Sequence, residues 1–311
     1  MSKIAIIGTG AVGSSIAYAV MIKGLVNELI LVDQLAEKAM AEQLDLNHGA
    51  MYVPKTTIAH GDLSDAAGAD ILVVTAGTKL RPGQSPFDLA QANAQIFKNI
   101  IPAIVKAAPN ALLLIVSNPV DALTEVARRL SGLSPERVFG AGTVLDTSRF
   151  RCLLGQFFGV APSRVHAYII GAAGEDEVPV WSSARIGNAL LGELHLPHQP
   201  AFDERARQRL FQLIRENAAT VIRYKGAPNW ATGLAVVQIL EALLRDERVV
   251  LTVSRLLHNY LDVEGLCLSA PHLVTGKGAE AAIPVPCDDE ERRAFRHSAV
   301  PVKEMIAKLG C

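Results

Sequence analysis

The sequence lacks a surplus of charge of either sign. Its 30 lysines and arginines nearly balance 31 aspartates and glutamates, for a net charge of −1. With no basic excess, nothing draws the chain to nucleic acid or to an anionic membrane. It also lacks closely spaced cysteines. Cys152, Cys267, Cys287 and Cys311 stand far apart, with no CxxC or CxxH spacing. They read as structural thiols in a reducing compartment, and no metal site is expected from them. No uncharged apolar run reaches the ~18 residues that a membrane span needs. Internal repeats and low-complexity linkers are missing too. What is present is a hydrophobic half and a charged fifth, which reads as compact and globular. At 311 residues the chain exceeds what one core usually needs, so two domains are expected. The opening "MSKIAIIGTGAVGSSIAYAV" faintly resembles a secretory leader, but its glycines have a better use. The chain therefore reads as unprocessed and cytoplasmic.

The first half alternates strand and helix. "KIAIIG" (3–8) is a short run rich in β-branched residues, suited to a buried parallel strand. A helical pattern follows over about 11–24, then "ELILVD" (28–33), a strand ending in an acid. Further strands are predicted at 70–77, 111–119 and 137–142, with helices at 88–108 and 120–131. This rhythm predicts a doubly wound parallel (Rossmann) sheet, an α/β fold. From about 145 it gives way to a mixed α+β region, including a long amphipathic helix over 203–226 that a glycine stops. The expected division is 1–142 for a dinucleotide and 143–311 for a substrate.

"GTGAVG" (8–13) is G-x-G-x-x-G, directly after a strand and opening a helix. Gly8 allows the tight turn, Gly10 lets a pyrophosphate approach the backbone, and Gly13 lets helix and strand pack closely. The helix start offers unpaired N–H groups and a favourable dipole. Asp33 lies twenty residues past Gly13, at the end of the second strand. A carboxylate there accepts hydrogen bonds from ribose hydroxyls and repels a 2′-phosphate, which selects NAD over NADP.

Beyond this loop the chain resembles the lactate/malate dehydrogenases, most closely the bacterial L-lactate dehydrogenases. The motifs are "GTGAVG", "VVTAG", "RPG" with "DL" and "N", "SNPVD", "TVLDTSRFR", "VHAYIIG", "EVPVWS" and "LTVS", spread nearly end to end. The resemblance implies a homotetramer that acts on a small carboxylate-bearing substrate. It implies that Val12, Thr75, Ala76 and Gly77 line the cofactor with the glycines. It makes Asn118 the residue beside the nicotinamide and substrate carbonyl, Asp146 the partner of a catalytic histidine, and Arg149 the clamp on the substrate carboxylate. Arg151 and His166 match the pair that binds fructose 1,6-bisphosphate at a subunit interface.

The same resemblance exposes departures. The family pattern G-E-H-G-D-S-E-V-P is here Gly171, Ala172, Ala173, Gly174, Glu175, Asp176, Glu177, Val178, Pro179, so alanine stands where the histidine is expected. Pro86 stands for the mobile-loop arginine, Leu80 for the specificity residue, and Pro228 for a pocket threonine. Proton donor and oxyanion-stabilising cation are lost together, while the cofactor loop and Arg149 remain. One reading unites these changes: the substrate is a 2-imino acid whose C=N⁺ pairs with Asp146, helped by Asp176, in the space freed at Ala172 and Ala173. The alternatives are a lactate-type dehydrogenase or a catalytically silent NAD-binding protein. The first would use a substitute acid (Asp176 or His60) and a substitute cation (Arg81 or Lys79).

Overall fold

The computed structural model describes residues 2–79, 83–194 and 201–310. In chain order the elements are β1 (Lys3–Ile7), α1 (Ala11–Lys23), β2 (Glu28–Val32), α2 (Ala36–His48), β3 (Thr57–Gly61), β4 (Ile71–Val74), α3 (Pro86–Ala107), β5 (Leu112–Ile115), α4 (Val120–Ser131) and β6 (Val138–Gly140). They continue with α5 (Val144–Phe158), β7 (Val165–Gly171), β8 (Glu177–Ile186), β9 (Ala189–Leu190), α6 (Glu204–Lys225), α7 (Asn229–Leu244), β10 (Val249–Leu256), β11 (Cys267–Thr275), β12 (Gly278–Ala282) and α8 (Asp289–Leu309).

The first six strands pair in parallel in the order β3-β2-β1-β4-β5-β6, the doubly wound dinucleotide-binding order. Side chains alternate between the two faces. Ile4 and Ile6 share one core with Leu29, Leu31, Ile71 and Val73. Ala5 and Ile7 share the other with Ile30, Val32, Leu72 and Val74. Both faces are covered, so these strands read as unbroken apolar runs rather than alternating ones.

The sheet does not stop at the expected boundary near residue 142. It continues antiparallel through β10-β11-β7-β8-β9, with β12 on β11. The joins are thin: Gly140 pairs with Ser254, and Gly171 with Ser269. Helix α7, from the second half of the chain, packs on the first. Its Val236, Val237 and Leu240 enter the core of Ile16, Ala17 and Val20 on α1. Gly233 lets the two backbones approach, since a Cβ there would lie 3.2 Å from the Ser15 carbonyl oxygen. Asn229 Nδ2 donates to Ser15 Oγ at 2.7 Å. No described helix is long and apolar enough to cross a membrane.

Candidate active site

The cofactor end is built from backbone constraints. Gly8 has φ +106°, and a Cβ there would lie 2.6 Å from the Ala76 nitrogen. A Cβ on Gly13 would fall 1.9 Å from the Gly8 carbonyl oxygen. Only glycine therefore lets α1 start so close to β1. Gly10 is different: a Cβ there would meet nothing within 4 Å. The space it leaves open lies over the first turn of α1, where half-buried Val12 sits and no side chain caps the helix. Thr75 fastens the loop from the other side, its Oγ1 donating to the Gly8 carbonyl at 2.5 Å. Ser117 Oγ donates to the Ala76 carbonyl at 2.6 Å.

Asp33 follows β2. One oxygen accepts from Thr9 N and Oγ1 at 2.7 and 2.9 Å, the other from Leu35 N at 3.1 Å. Burial alone would raise its pKa, but these donors and Lys38 hold the carboxyl below its ordinary value. It is a fixed carboxylate at the edge of the phosphate cradle. Loop, open helix start and anchored carboxylate fit an NAD molecule.

The floor beyond the cradle contains a residue that the sequence reading used only as a family motif. Asn93 is buried on α3; its Oδ1 accepts from Thr78 N at 2.7 Å and its Nδ2 donates to the Asn118 carbonyl at 2.8 Å. It spaces the 76–78 turn from Asn118, and a Cβ on Gly77 would press within 3.0 Å of its Oδ1. The signal was a polar residue in the stripe Ala90, Asn93, Ala94, Phe97, Ile101, Ile104, all buried. Asn118 itself is exposed at the mouth, joined to Pro119 by a cis peptide bond.

On α5, Asp146 and Arg149 stand one helical turn apart. They form an ion pair through Arg149 Nη1. Asp146 has therefore not been left without a positive partner, contrary to the expectation from the lost histidine. Burial still raises its pKa, with Arg149 acting against that. Ala172 is buried and Ala173 half-buried, on the turn between β7 and β8. The Ala173 N–H donates at 2.8 Å to Asp121 Oδ2, and Asp121 Oδ1 accepts from Ser254 Oγ at 2.6 Å and Ser269 Oγ at 3.0 Å. Asp121 thus pins the 172–176 turn to α4, β10 and β11.

The carboxyl that joins Asp146 is not Asp176. Asp176 and Glu175 are exposed, whereas Glu177, the first residue of β8, is 5% exposed. In this turn the side chain of 176 points to solvent and that of 177 inward. Burial, and next the charge of Asp146, push Glu177 up to about 8, against Arg149, Arg215 and the Gly174 N–H. Near neutrality Glu177 therefore keeps a proton. Arg215 on α6 donates to the Glu175 carbonyl at 2.6 Å, closing the turn from outside.

The other candidates lie apart. His60 sits on the edge strand β3, bonded to Gln43 at 2.8 Å, at the end of the sheet remote from Asp146. Lys79 is exposed. Leu80 and Arg81 lie outside the described residues. Pro86 is the first residue of α3, capped by Ser85 and Asp88, a position that suits proline and carries no cation. Pro228 immediately precedes α7 at its N-cap, its carbonyl accepting from Thr232 N at 3.0 Å. Arg151 turns inward, donating to the Ala167 carbonyl at 2.9 Å and lying 5.3 Å over the Tyr168 ring, while His166 is exposed on β7. A cavity of about 200 Å³ opens beside Arg151. A larger one, about 800 Å³, lies by Asp70, Ile71 and Leu112 where β4 and β5 begin. Ligands of such sheets bind at the carboxyl ends of the strands, so the larger cavity is at the wrong end for this chemistry.

Comparison with known proteins agrees with this geometry. Residues 2–140 match the lactate/malate dehydrogenase NAD binding domain, and residues 143–310 its alpha/beta C-terminal domain. The chain belongs to the lactate/malate dehydrogenase family. It is 43% identical to an L-lactate dehydrogenase of Synechococcus sp. (strain JA-3-3Ab) over 307 residues, 99% of each chain. It is 41% identical to that of Thermus aquaticus, again over 99% of each. Among solved structures, a lactate dehydrogenase from a Medee basin deep-sea metagenome library superposes with a TM-score of 0.96 at 32% identity, covering 100% of this chain and 99% of the other. The minor L-lactate dehydrogenase of Enterococcus mundtii, in a ligand-bound form, gives 0.95 at 33% identity over 99% and 98%. This family member is an NAD-dependent oxidoreductase of lactate dehydrogenase type, with a Rossmann NAD-binding domain and a C-terminal α/β domain.

Proposed function

We propose that the protein reduces a 2-imino acid, a small substrate with a carboxylate beside a C=N bond, cyclic or opine-like, using NADH. The observation that carries this reading is the Arg149–Asp146 pair at the reacting end of the pocket. An iminium acid is the same pair of charges reversed. Docked against it, the substrate carboxylate takes Arg149 through a two-pronged salt bridge and the iminium takes Asp146. Neither half-buried charge is then left alone, which would be destabilising. A 2-oxo acid would engage Arg149 and leave Asp146 uncompensated. Ala173 and Pro86 fit the same substrate, since hydride addition to an iminium makes an amine and no oxyanion, and an arginine would repel the cation. Ala172, Ala173 and Pro228 leave room for a larger group.

When bound, NADH supplies the hydride. Arg149 orients the substrate, Asp146 balances its nitrogen, and Asn118 borders the nicotinamide. The test is NADH oxidation with 2-oxo acids alone, then with ammonia or methylamine, then with five- and six-membered cyclic 2-imino acids. Turnover confined to C=N compounds is expected, and rapid turnover of pyruvate alone would end this reading.

A second reading, a lactate-type 2-oxo acid dehydrogenase, is favoured by one observation: Glu177 keeps a proton near neutrality and could serve as the acid. The same assay separates the two, and turnover of neither class would indicate a catalytically silent NAD-binding protein.

We place the protein in the cytoplasm as a homotetramer. Apolar side chains left exposed on one chain support the assembly: Tyr18 and Ile22 on α1, Met40 and Leu44 on α2, then Met51 and Tyr52. Arg151 and His166 supply half of an anion site between two such chains. Sedimentation tests the assembly.

A further inference from the structure

We propose that Glu177 gives the substrate its proton, in the role that a histidine at position 173 would fill. The inference rests on the reading of this pocket as a site of NADH-dependent reduction. Glu177 belongs to the right cluster. It opens β8 at the end of the turn that carries Ala173, pairs across the sheet with Gly171, and receives the Gly174 N–H. The charged groups that face it are Asp146 and Arg149 from α5 and Arg215 from α6. Asp121 fixes the same turn from below through the Ala173 N–H.

Three features suit Glu177 to this work. It is buried, and an apolar surrounding favours the neutral, proton-bearing form of a carboxyl. The neighbouring Asp146 carboxylate opposes a second negative charge, so the shared site holds one proton under conditions where a free glutamate holds none. The shift places its titration at about 8, where a general acid is effective near neutral pH. Asp176, by contrast, is exposed.

The step balances. The Glu177 O–H bond breaks, and the proton forms a new bond to the nitrogen of the neutral imine, giving the iminium and a Glu177 carboxylate. Hydride from NADH then bonds to the carbon, and the C=N π pair becomes the amine lone pair. Glu177 recovers its proton from solvent. In the reverse direction, hydride leaves the neutral amine to give the iminium, whose N–H proton then passes to the Glu177 carboxylate. For a C=O substrate, the Glu177 proton would pass to the oxygen as hydride adds to the carbon, giving the alcohol and a Glu177 carboxylate.

The experiment compares the unmutated protein with Glu177→Gln, which keeps size and hydrogen bonding and cannot yield a proton. Each is assayed with 2-oxo acids and cyclic 2-imino acids across pH. In parallel, the ligand-free protein with ¹³C-labelled glutamate carboxyls is titrated by NMR, and Glu177 is assigned as the resonance missing from the variant. The expected results are a titration midpoint near 8, a reduction rate that falls as pH rises through that midpoint, and a kcat lowered by ~10²–10⁴-fold in Glu177→Gln. NADH affinity, read by fluorescence, should not change. An undiminished kcat in the variant, or a Glu177 that titrates in the ordinary carboxylate range, overturns this inference alone. A proton-holding Glu177 with turnover of neither substrate class overturns the reductive reading of the pocket, and this inference with it.

Discussion

Asp33 offers the simplest test at the scale of single residues. Its two oxygens already hold three protein donors, so the carboxylate is fixed and charged before any cofactor arrives. NADH should therefore bind much more tightly than NADPH. Asp33→Ala should narrow that gap by weakening NADH and relieving the repulsion of the 2′-phosphate, and equal affinities in the unmutated protein would contradict the role. Arg149 and Asp146 answer to a different measurement. Arg149→Ala should raise KM steeply by removing the carboxylate clamp. Asp146→Asn should abolish imine reduction while leaving NADH binding intact, because the lost charge faces the substrate. The glycine loop, Asp33 and Arg149 were legible because their chemistry is fixed by local spacing. The partnership of Asp146 with Arg149 was not, since the family pattern pairs this aspartate with position 173, and alanine there leaves it to a neighbour one helical turn away. Glu177 was passed over for Asp176 although it leads the apolar run "EVPVW". A lone acid at the head of a buried strand was the signal.

Among the elements, α4 shows best how the site is held. Its Asp121, Thr124 and Glu125 are buried, and Asp121 ties the helix to Ser254 on β10, Ser269 on β11 and the turn at Ala173. Burial pushes the Asp121 pKa up, against these neutral donors. Asp121→Ala would leave two buried serine hydroxyls and the half-buried Ala173 N–H without this acceptor. It should cost about 2–4 kcal/mol of stability and loosen the 172–176 turn, whereas Asp121→Asn keeps the shape and should cost less. Urea unfolding distinguishes the two variants, and an unaltered midpoint in Asp121→Ala would show that the turn does not depend on this residue. Helix positions were readable from caps and stops. The segments expected at 120–131 and 203–226 became Val120–Ser131 and Glu204–Lys225, the second closed by Gly226 at φ +86°. Strands proved shorter than their apolar runs. β4 ends at Val74 because Thr75 turns away to fasten Gly8, and that bond lies between segments far apart in sequence. The packing of α7 back onto α1 is likewise a long-range fact that local patterns do not encode.

For the molecule as a whole, burial of titratable groups gives stability a pH dependence with two opposed arms. His272 lies in the interior of the sheet on β11, its Nδ1 2.8 Å from the Ala270 carbonyl. Burial lowers its pKa from 6.5 to about 4, and Arg255 adds to this. Between those values the unfolded chain binds the extra proton, so this contribution is complete above 6.5 and is lost as pH falls toward 4. Glu177 acts with the opposite sign. The folded chain holds its proton up to about 8 and the unfolded chain releases it near 4.5, so the contribution is complete below 4.5 and is lost as pH rises through 8. The raised pKa of Asp146 works in the same direction. The two slopes nearly cancel between 4.5 and 6.5, so the Tm of the ligand-free protein, at one protein concentration, should change little there and decline as pH rises from 6.5 through 8. Glu177→Gln should flatten the alkaline arm, leaving the share of Asp146 and Asp121, and should keep the acid arm, because glutamine binds no proton in either state while His272 is untouched. Calorimetry of the two proteins from about pH 5 to pH 9 tests this directly. Parallel curves above about pH 6 would show that Glu177 titrates alike in the folded and unfolded chains. In that case its burial beside Asp146 would have no energetic consequence.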